Sequence, residues 1–238
     1  MASRPSSTIL EPAPGRTTTR PQAPEFSPFA EYIPEVSIPH AFWKRLIDIV
    51  GSSLALSILA PVMLVIALLI RLESPGPILF RQIRLGRYGK PFIMYKFRSM
   101  RCNAQELQPL IMHMNEKQRG AFKIRQDPRM TRIGRFIRKY SLDELPQLFN
   151  VLKGDLSLVG PRAMAPYDVN RFDKVEYYTR FAVPQGCTGL WQVSGRSNLT
   201  FDEWMRLDIY YVENISLGLD IKILLRTIPA ILKGDGAY

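Results

Sequence analysis

Cysteine and histidine are scarce. The chain has two cysteines, Cys102 and Cys187, and two histidines, His40 and His113, with no CxxC pair and no ligand spacing among them. That argues against a disulfide framework and a zinc site, and it fits a reducing, cytoplasmic environment. A GxxxxGK[ST] loop is missing, so this is no P-loop protein. There is no internal repeat, and the first residues lack the short apolar core of a signal peptide. Acid is thin where base is thick. The formal net charge is +11, residues 1–40 hold three Arg against four Glu, and residues 71–238 carry the whole +11 excess. Such a segment seeks anionic partners: nucleic acid, anionic lipid or phosphorylated small molecules.

Eight of the nineteen prolines fall in residues 1–40, among Ser, Thr and Ala. That composition cannot offset the entropy of ordering and predicts a disordered tail over 1–40. A membrane element is expected over 41–72. Its centre, residues 49–70, is 22 residues without a charge, enough to cross a bilayer at about 1.5 Å per residue. Pro61 divides the run into 12 and 9 residues, and neither half spans alone. Both flanks are basic, with Lys44 and Arg45 before and Arg71, Arg81, Arg84 and Arg87 after. A helix broken at Pro61 that dips in and returns keeps both flanks on one side; a plain span with a mild kink is the alternative.

Residues 73–238 read as one compact mixed domain, α/β in class but helix-rich. "PILFRQIRLGRYGKPFIMYKFRSM" predicts a β-hairpin turning near Gly86 and Gly89, with a polar, basic outer face. Helices are expected over 103–120, 129–139, 144–152, about 200–214 and about 219–233, the last amphipathic enough for either core packing or a membrane surface.

The acidic pair Asp143–Glu144 in "SLDELPQLFN" follows a 23-residue stretch, 117–139, with nine Lys or Arg and one acid, Asp127. Two readings compete. "SLDE" has the form of a capping box, with Ser141 as N-cap and Glu144 reaching back. "TFDE", residues 200–203, has the same form and its own acidic pair, so it serves as an internal control. The chemical reading is that basic groups hold a polyphosphate, a carboxylate pair holds Mg²⁺ against it, or a carboxylate itself attacks phosphorus. For nucleic acid, few aromatic residues interleave the basic run, and a membrane segment lies upstream.

"SPGPILFRQIRLGRYGKPFIMYKFRSM", "SLDELPQLFNVLKGDLSLVGPR" and "TGLWQVSGR" resemble the bacterial sugar transferases, the monotopic phosphoglycosyl transferases that start exopolysaccharide and O-antigen synthesis. The likeness spans about residues 42–238 and is to the short form without a multi-helix membrane domain. It implies a membrane-associated monotopic enzyme with a re-entrant helix broken at a proline, here Pro61, and amphipathic interface helices, at the bacterial inner membrane with its catalytic domain facing the cytoplasm. The implied reaction moves a hexose-1-phosphate from a UDP-sugar to undecaprenyl phosphate and releases UMP, with UDP-glucose or UDP-galactose as leading donors. Asp143 is then the nucleophile of a covalent intermediate, and Glu144 helps place Mg²⁺ (Mn²⁺ as substitute) or handles protons. Lys96 and Arg162 neutralise phosphates, while Gln192 and Arg196 are nucleotide or acceptor contacts. Each has a blander reading: an exposed strand charge for Lys96, a structural ion pair for Arg162, loop hydrogen bonding for Gln192 and Arg196. Implied partners are the UDP-sugar, undecaprenyl phosphate and anionic membrane lipids, with a homo-oligomer open and no nucleic acid.

The chain departs from the family pattern twice. Ala163 stands where "GPRP" has its second proline, and "QGCTG", residues 185–189, stands where "PG[IL]TG" is common. Loss of these prolines predicts a softer loop around Arg162 or a changed substrate preference. The alternatives in function are an inactive family member acting as a membrane scaffold, and a basic lipid- or nucleic-acid-binding membrane protein.

Overall fold

The computed structural model describes residues 29–107, 109–114, 124 and 127–233. A long helix α1 (Ala41–Glu73) leads into a hairpin of β1 (Leu79–Leu85) and β2 (Pro91–Phe97). Short helices α2 (Ala104–Leu107), α3 (Arg132–Lys139) and α4 (Gln147–Lys153) follow. Then come β3 (Ser157–Val159), α5 (Pro166–Val169), β4 (Gly186–Thr188), α6 (Leu190–Ser194), α7 (Phe201–Glu213) and α8 (Leu217–Lys233). β1 and β2 pair antiparallel; β3 and β4 pair parallel. The protein is a helix-rich α/β molecule with small sheets, as expected.

α1 runs 33 residues with Pro61 inside it, about 50 Å at 1.5 Å per residue. The backbone is helical on both sides of Pro61, and a proline inside a helix bends it without ending it. One proline removes one donor, and the long apolar flanks keep the rest of the ladder. Nearby, the Ser57 hydroxyl donates back to the Ser53 carbonyl at 3.0 Å. α1 is long and apolar enough to cross a membrane. Its two ends dock on the same domain. At the start, Arg45 donates to the Val151 and Leu152 carbonyls at 2.6 and 2.7 Å, and Asp48 accepts from the Leu158 N–H at 2.8 Å. At the end, Ile66 and Ile70 pack with Phe97 and Ile137, and Glu73 accepts the Arg132 N–H, capping α3. Between these ends, no residue from Ser53 to Val65 is buried.

The main core joins β3, the 3₁₀ segment Val175–Ala182, α7 and the first part of α8. Phe29 and Ile33 are buried in it, and Phe29 stacks obliquely on Tyr178 and Phe181. The disordered tail expected over 1–40 is thus corrected from Phe29 onward. Its apolar residues, Phe29, Ile33, Val36 and Ile38, outweigh the proline-rich composition. Residues 1–28 lie outside the described residues.

The helix expected over 103–120 is instead α2 followed by a 3₁₀ turn, Pro109–Met114, because Pro109 cannot continue an α-helix from its preceding turn. Residues 115–120 lie outside the described residues. The other helices form close to where periodicity places them. The hairpin's basic residues do not simply face outward. The register sets Phe80 opposite Lys96 and Arg84 opposite Phe92, so Phe80, Gln82, Arg84 and Lys96 share one face, and all four line a cavity. The other face exposes Ile83 and Ile93.

Candidate active site

The two S/T-x-x-E motifs part company. Thr200 and Glu203 form a full capping box at the start of α7. Ser141 does not cap: its φ is 55° and its side chain makes no cap bond, while Leu142–Glu144 turns in a single 3₁₀ loop. Glu144 faces away from that backbone and meets two cations. Lys96 Nζ lies 2.7 Å and Arg162 Nη2 2.8 Å from the same oxygen, Oε1. Asp143, beside it, is 8% exposed and accepts no hydrogen bond from any described side chain.

Three features bring these groups together. Asn150 is fully buried in α4 and reads the edge of β2: it donates to the Ile93 carbonyl at 2.7 Å and accepts the Tyr95 N–H at 3.0 Å. That fixes Lys96 against the acidic turn. Arg162 follows β3 in a loop whose Gly160 N–H donates to the Thr188 carbonyl, while the Gly186 N–H donates to the Pro161 carbonyl. A Cβ on Gly160 would lie 2.3 Å from the Pro184 carbonyl oxygen, so only glycine fits this crossing. Finally, Arg180, fully buried and paired to Asp208 at 2.7 Å, donates to the Arg162 carbonyl at 2.7 Å. Asn150 and Arg180 were missed in the sequence. Their signal was a polar residue inside an apolar run, which a core admits only with partners.

The departures from the family pattern are absorbed. Gln185 is buried, and its amide donates to the Arg180 and Val183 carbonyls, tying the turn by hydrogen bonds. Ala163 is buried beside Val151 and Leu156.

Electrostatics separate the two carboxylates. Burial pushes the Asp143 carboxyl up, to about 6, with Glu144 adding to the rise and Lys96 opposing it. Burial acts on Glu144 too, but Arg162 and Lys96 outweigh it and hold Glu144 far below the usual carboxylate range. Burial lowers Lys96, and Glu144 opposes that.

Asp143, Lys96 and Arg162 line a cavity of about 1600 Å³. One wall is apolar and belongs to α1: Leu56, Ala60, Met63 and Leu64. Arg138, also missed in the sequence as a site residue, lines the same space; its guanidinium donates to the Met130 sulfur at 3.6 Å and acts to lower the Asp143 carboxyl. Gln82, Arg84, Tyr167 and Asp168 line it as well. Gln192 and Arg196 are not brought to this cavity. Gln192 donates to the Cys187 carbonyl at 2.9 Å, and Arg196 donates to the Gln192 carbonyl at 3.1 Å.

The site thus joins a buried carboxylate without a donor among the described side chains, a neighbour clamped by two cations, and a cavity that is basic on one side and apolar on another. The sequence profile of the bacterial sugar transferases matches residues 39–234. The chain belongs to that family. It is 47% identical over 202 residues to an undecaprenyl-phosphate galactose phosphotransferase of Salmonella typhimurium, a match covering 83% of this chain and 42% of that protein. It is 43% identical over 236 residues to a UDP-glucose:undecaprenyl-phosphate glucose-1-phosphate transferase of Caulobacter vibrioides, covering 96% of this chain and 80% of that one. An exopolysaccharide production protein, ExoY, of Rhizobium meliloti is 36% identical over 199 residues, covering 82% and 88%. The bacterial sugar transferase chain described here thus spans less than half the length of the Salmonella relative and most of the other two.

Among the described residues no cluster of three or more His, Cys, Asp or Glu could hold a metal by itself. A Mg²⁺ ion needs no such cage, since one or two carboxylates and substrate phosphates suffice. The Asp143 carboxylate, unpartnered and lining the cavity, fits that use; Glu144 offers Oε2, whose one contact is Arg162 Nη1 at 3.5 Å.

Proposed function

We propose that the protein transfers a hexose-1-phosphate from a UDP-sugar to undecaprenyl phosphate, as the first membrane step of a surface polysaccharide. The observation that carries this is the cavity itself: a phosphate-binding floor of Lys96, Arg138 and Arg162 around Asp143 that continues into an apolar wall of α1. A polyprenyl phosphate has that combination of anionic head and apolar tail.

The chain's own groups supply the steps. An Asp143 carboxylate oxygen attacks the sugar-bearing β-phosphorus. The bond from that phosphorus to the bridging oxygen breaks, and UMP leaves with the oxygen. The phosphosugar is then held as an acyl phosphate on Asp143. A phosphate oxygen of the acceptor attacks the same phosphorus and returns Asp143 to a carboxylate. Lys96 and Arg162 sit where charge accumulates on the phosphoryl oxygens, and Glu144 keeps both cations in place. Mg²⁺, held by Asp143 and Glu144 with substrate oxygens, would add neutralisation of the diphosphate.

α1 enters the bilayer as a re-entrant element with the catalytic domain on the cytoplasmic face of the inner membrane. Supporting this, both of its ends dock on one domain and its middle is unburied. Ile221, Leu225 and Ile228, a helical stripe on α8 that is at least half exposed, rests at the same interface. The test is UMP release from detergent-solubilised protein with undecaprenyl phosphate, Mg²⁺ and a panel of UDP-sugars. Release with one donor, lost in Asp143→Asn and kept in Asp202→Asn, is expected. Release that persists in Asp143→Asn would sink the covalent reading.

A further inference from the structure

The cavity has two ends of different chemistry, and the hairpin register orders them. Lys96 lies opposite Phe80 on β1. Gln82 and Arg84 follow on the same face, roughly 7 and 14 Å further along at about 3.4 Å per residue. At the near end of the hairpin, Phe97 packs with Ile66 and Ile70 of α1. The strand therefore leads from the membrane helix, past the phosphate cations, to a polar far end where α5 meets β1. Residues there line the same cavity: Gln82, Arg84, Tyr167 and Asp168.

This far cluster is incompletely satisfied. Asp168 is 6% exposed, and its Oδ1 has no hydrogen-bond partner. Its other oxygen lies 3.9 Å from Arg84 Nη1, against 2.7 Å for Lys96 and Glu144, and the Ala165 N–H and the Arg171 and Arg180 guanidiniums also stabilise the carboxylate. Gln82 Nε2 reaches the Tyr167 hydroxyl at 3.5 Å, the limit of a hydrogen bond, and Tyr167 is 56% exposed. Arg84 is tied to Gln82 Oε1 at 2.7 Å, which orients it without neutralising it. A buried acceptor without a donor is costly unless something completes it.

The chemistry narrows what completes it. The Asp168 carboxylate repels a phosphate, which has Lys96, Arg138 and Arg162 nearby instead. Ala163, Met164 and Trp204 add some apolar surface to the same cavity, but the continuous apolar wall that suits a polyprenyl chain is the one on α1. A carboxylate acceptor, a guanidinium, a carboxamide and an exposed aromatic plate suit a neutral, hydroxyl-rich group. We propose that Gln82, Arg84, Tyr167 and Asp168 bind a vicinal diol of the sugar-nucleotide donor, on its hexose or its ribose, and thereby set donor preference. This rests on the transferase reading for the identity of the donor. A site built to bond a hydroxyl discriminates strongly against analogues that lack or misplace it.

The experiment measures binding without turnover. Full-length protein carrying Asp143→Asn, in nanodiscs without acceptor, is titrated calorimetrically with UDP-glucose, UDP-galactose and UMP. Asp168→Asn, Tyr167→Ala and Gln82→Ala are then added singly. Expected is at least a 10-fold loss of UDP-hexose affinity with Asp168→Asn and about 5-fold with Tyr167→Ala, a surface change that does not threaten folding. UMP affinity kept in these variants places the hexose diol in the cluster; UMP weakened equally places the ribose there. UDP-hexose affinity unchanged in both Tyr167→Ala and Gln82→Ala overturns the subsite. In the otherwise unaltered protein, the same substitutions raise the donor KM and leave the acceptor KM alone. Donor binding that responds to these substitutions, in a protein that makes no lipid-linked product, would fail the transferase reading while leaving the subsite standing. No binding of any UDP-sugar would end both.

Discussion

Asp143 and Glu144 are chain neighbours whose carboxyl groups are pushed in opposite directions, Asp143 up and Glu144 down. Glu144 is locked as an anion by Lys96 and Arg162, whereas burial raises Asp143. In the proposed reaction this pair divides the work between an electrostatic anchor, Glu144, and a reactive, under-stabilised carboxylate, Asp143.

Asp143→Asn is expected to abolish transfer, by 10³-fold or more, and to stabilise the fold by about 1–3 kcal/mol at neutral pH. A folded carboxyl raised to about 6 binds its proton more tightly than the unfolded chain does. It therefore costs stability progressively as pH rises from about 4 to 6. Thermal unfolding in nanodiscs across that window checks this: the substitution should flatten the decline.

The same group predicts an acid limb in activity. Attack on phosphorus needs the deprotonated carboxylate, so kcat/KM for the UDP-sugar should fall as pH drops below about 6. A pre-steady-state UMP burst measured from pH 5 to 8 reports this step. A limb near pH 4 would mean that the bound substrate complex, not burial, governs Asp143.

Glu144→Gln leaves Lys96 and Arg162 facing each other without their shared anion. About a 10²-fold loss of kcat is expected. Lys96 is already lowered by burial and is held up by Glu144, so a basic limb from its deprotonation should move to lower pH. A pH–rate profile separates this from simple destabilisation, which would scale all pH values alike.

Arg180→Ala should destabilise by roughly 3–5 kcal/mol, because it strands the buried Asp208. Replacing both partners together by apolar residues should recover much of that. The double variant should still transfer poorly, since the Arg162 carbonyl has lost its donor. Denaturant unfolding together with a KM-against-kcat comparison tests both halves.

Thr200→Ala should cost about 1 kcal/mol of stability with activity intact, whereas Ser141→Gly should be tolerated in stability because φ there is 55°. The two motifs look alike in sequence, and this pair of melts distinguishes them.

Much of this was legible beforehand, for identifiable reasons. Helical periodicity placed α3, α7 and α8, and the alternation around Gly86 and Gly89 placed the hairpin. The long motifs brought Lys96, Asp143, Glu144 and Arg162 into one expected constellation, which the structure assembles. What was not legible depends on contacts distant in sequence. Proline counting hid the ordered strap from Phe29 to Ile38, because its apolar residues join a core built from distant parts of the chain, with Phe29 against Tyr178 and Phe181. Whether a capping motif caps is decided by the αL backbone of Ser141. Gln192 and Arg196 lie in a motif as specific as the others, yet they bond to their own loop. Arg84 and Asp168 come together only through the crossing of β1 and α5.

α1 is fastened at both ends, through Arg45 and Asp48 at one and through Ile66, Ile70 and Glu73 at the other. It is therefore less a flexible anchor than a rigid depth gauge. In a bilayer it cannot tilt independently of the domain, so a change in hydrocarbon thickness is met by rocking the entire molecule. The height of Asp143 relative to the lipid phosphates then becomes a property of the surrounding membrane as much as of the protein.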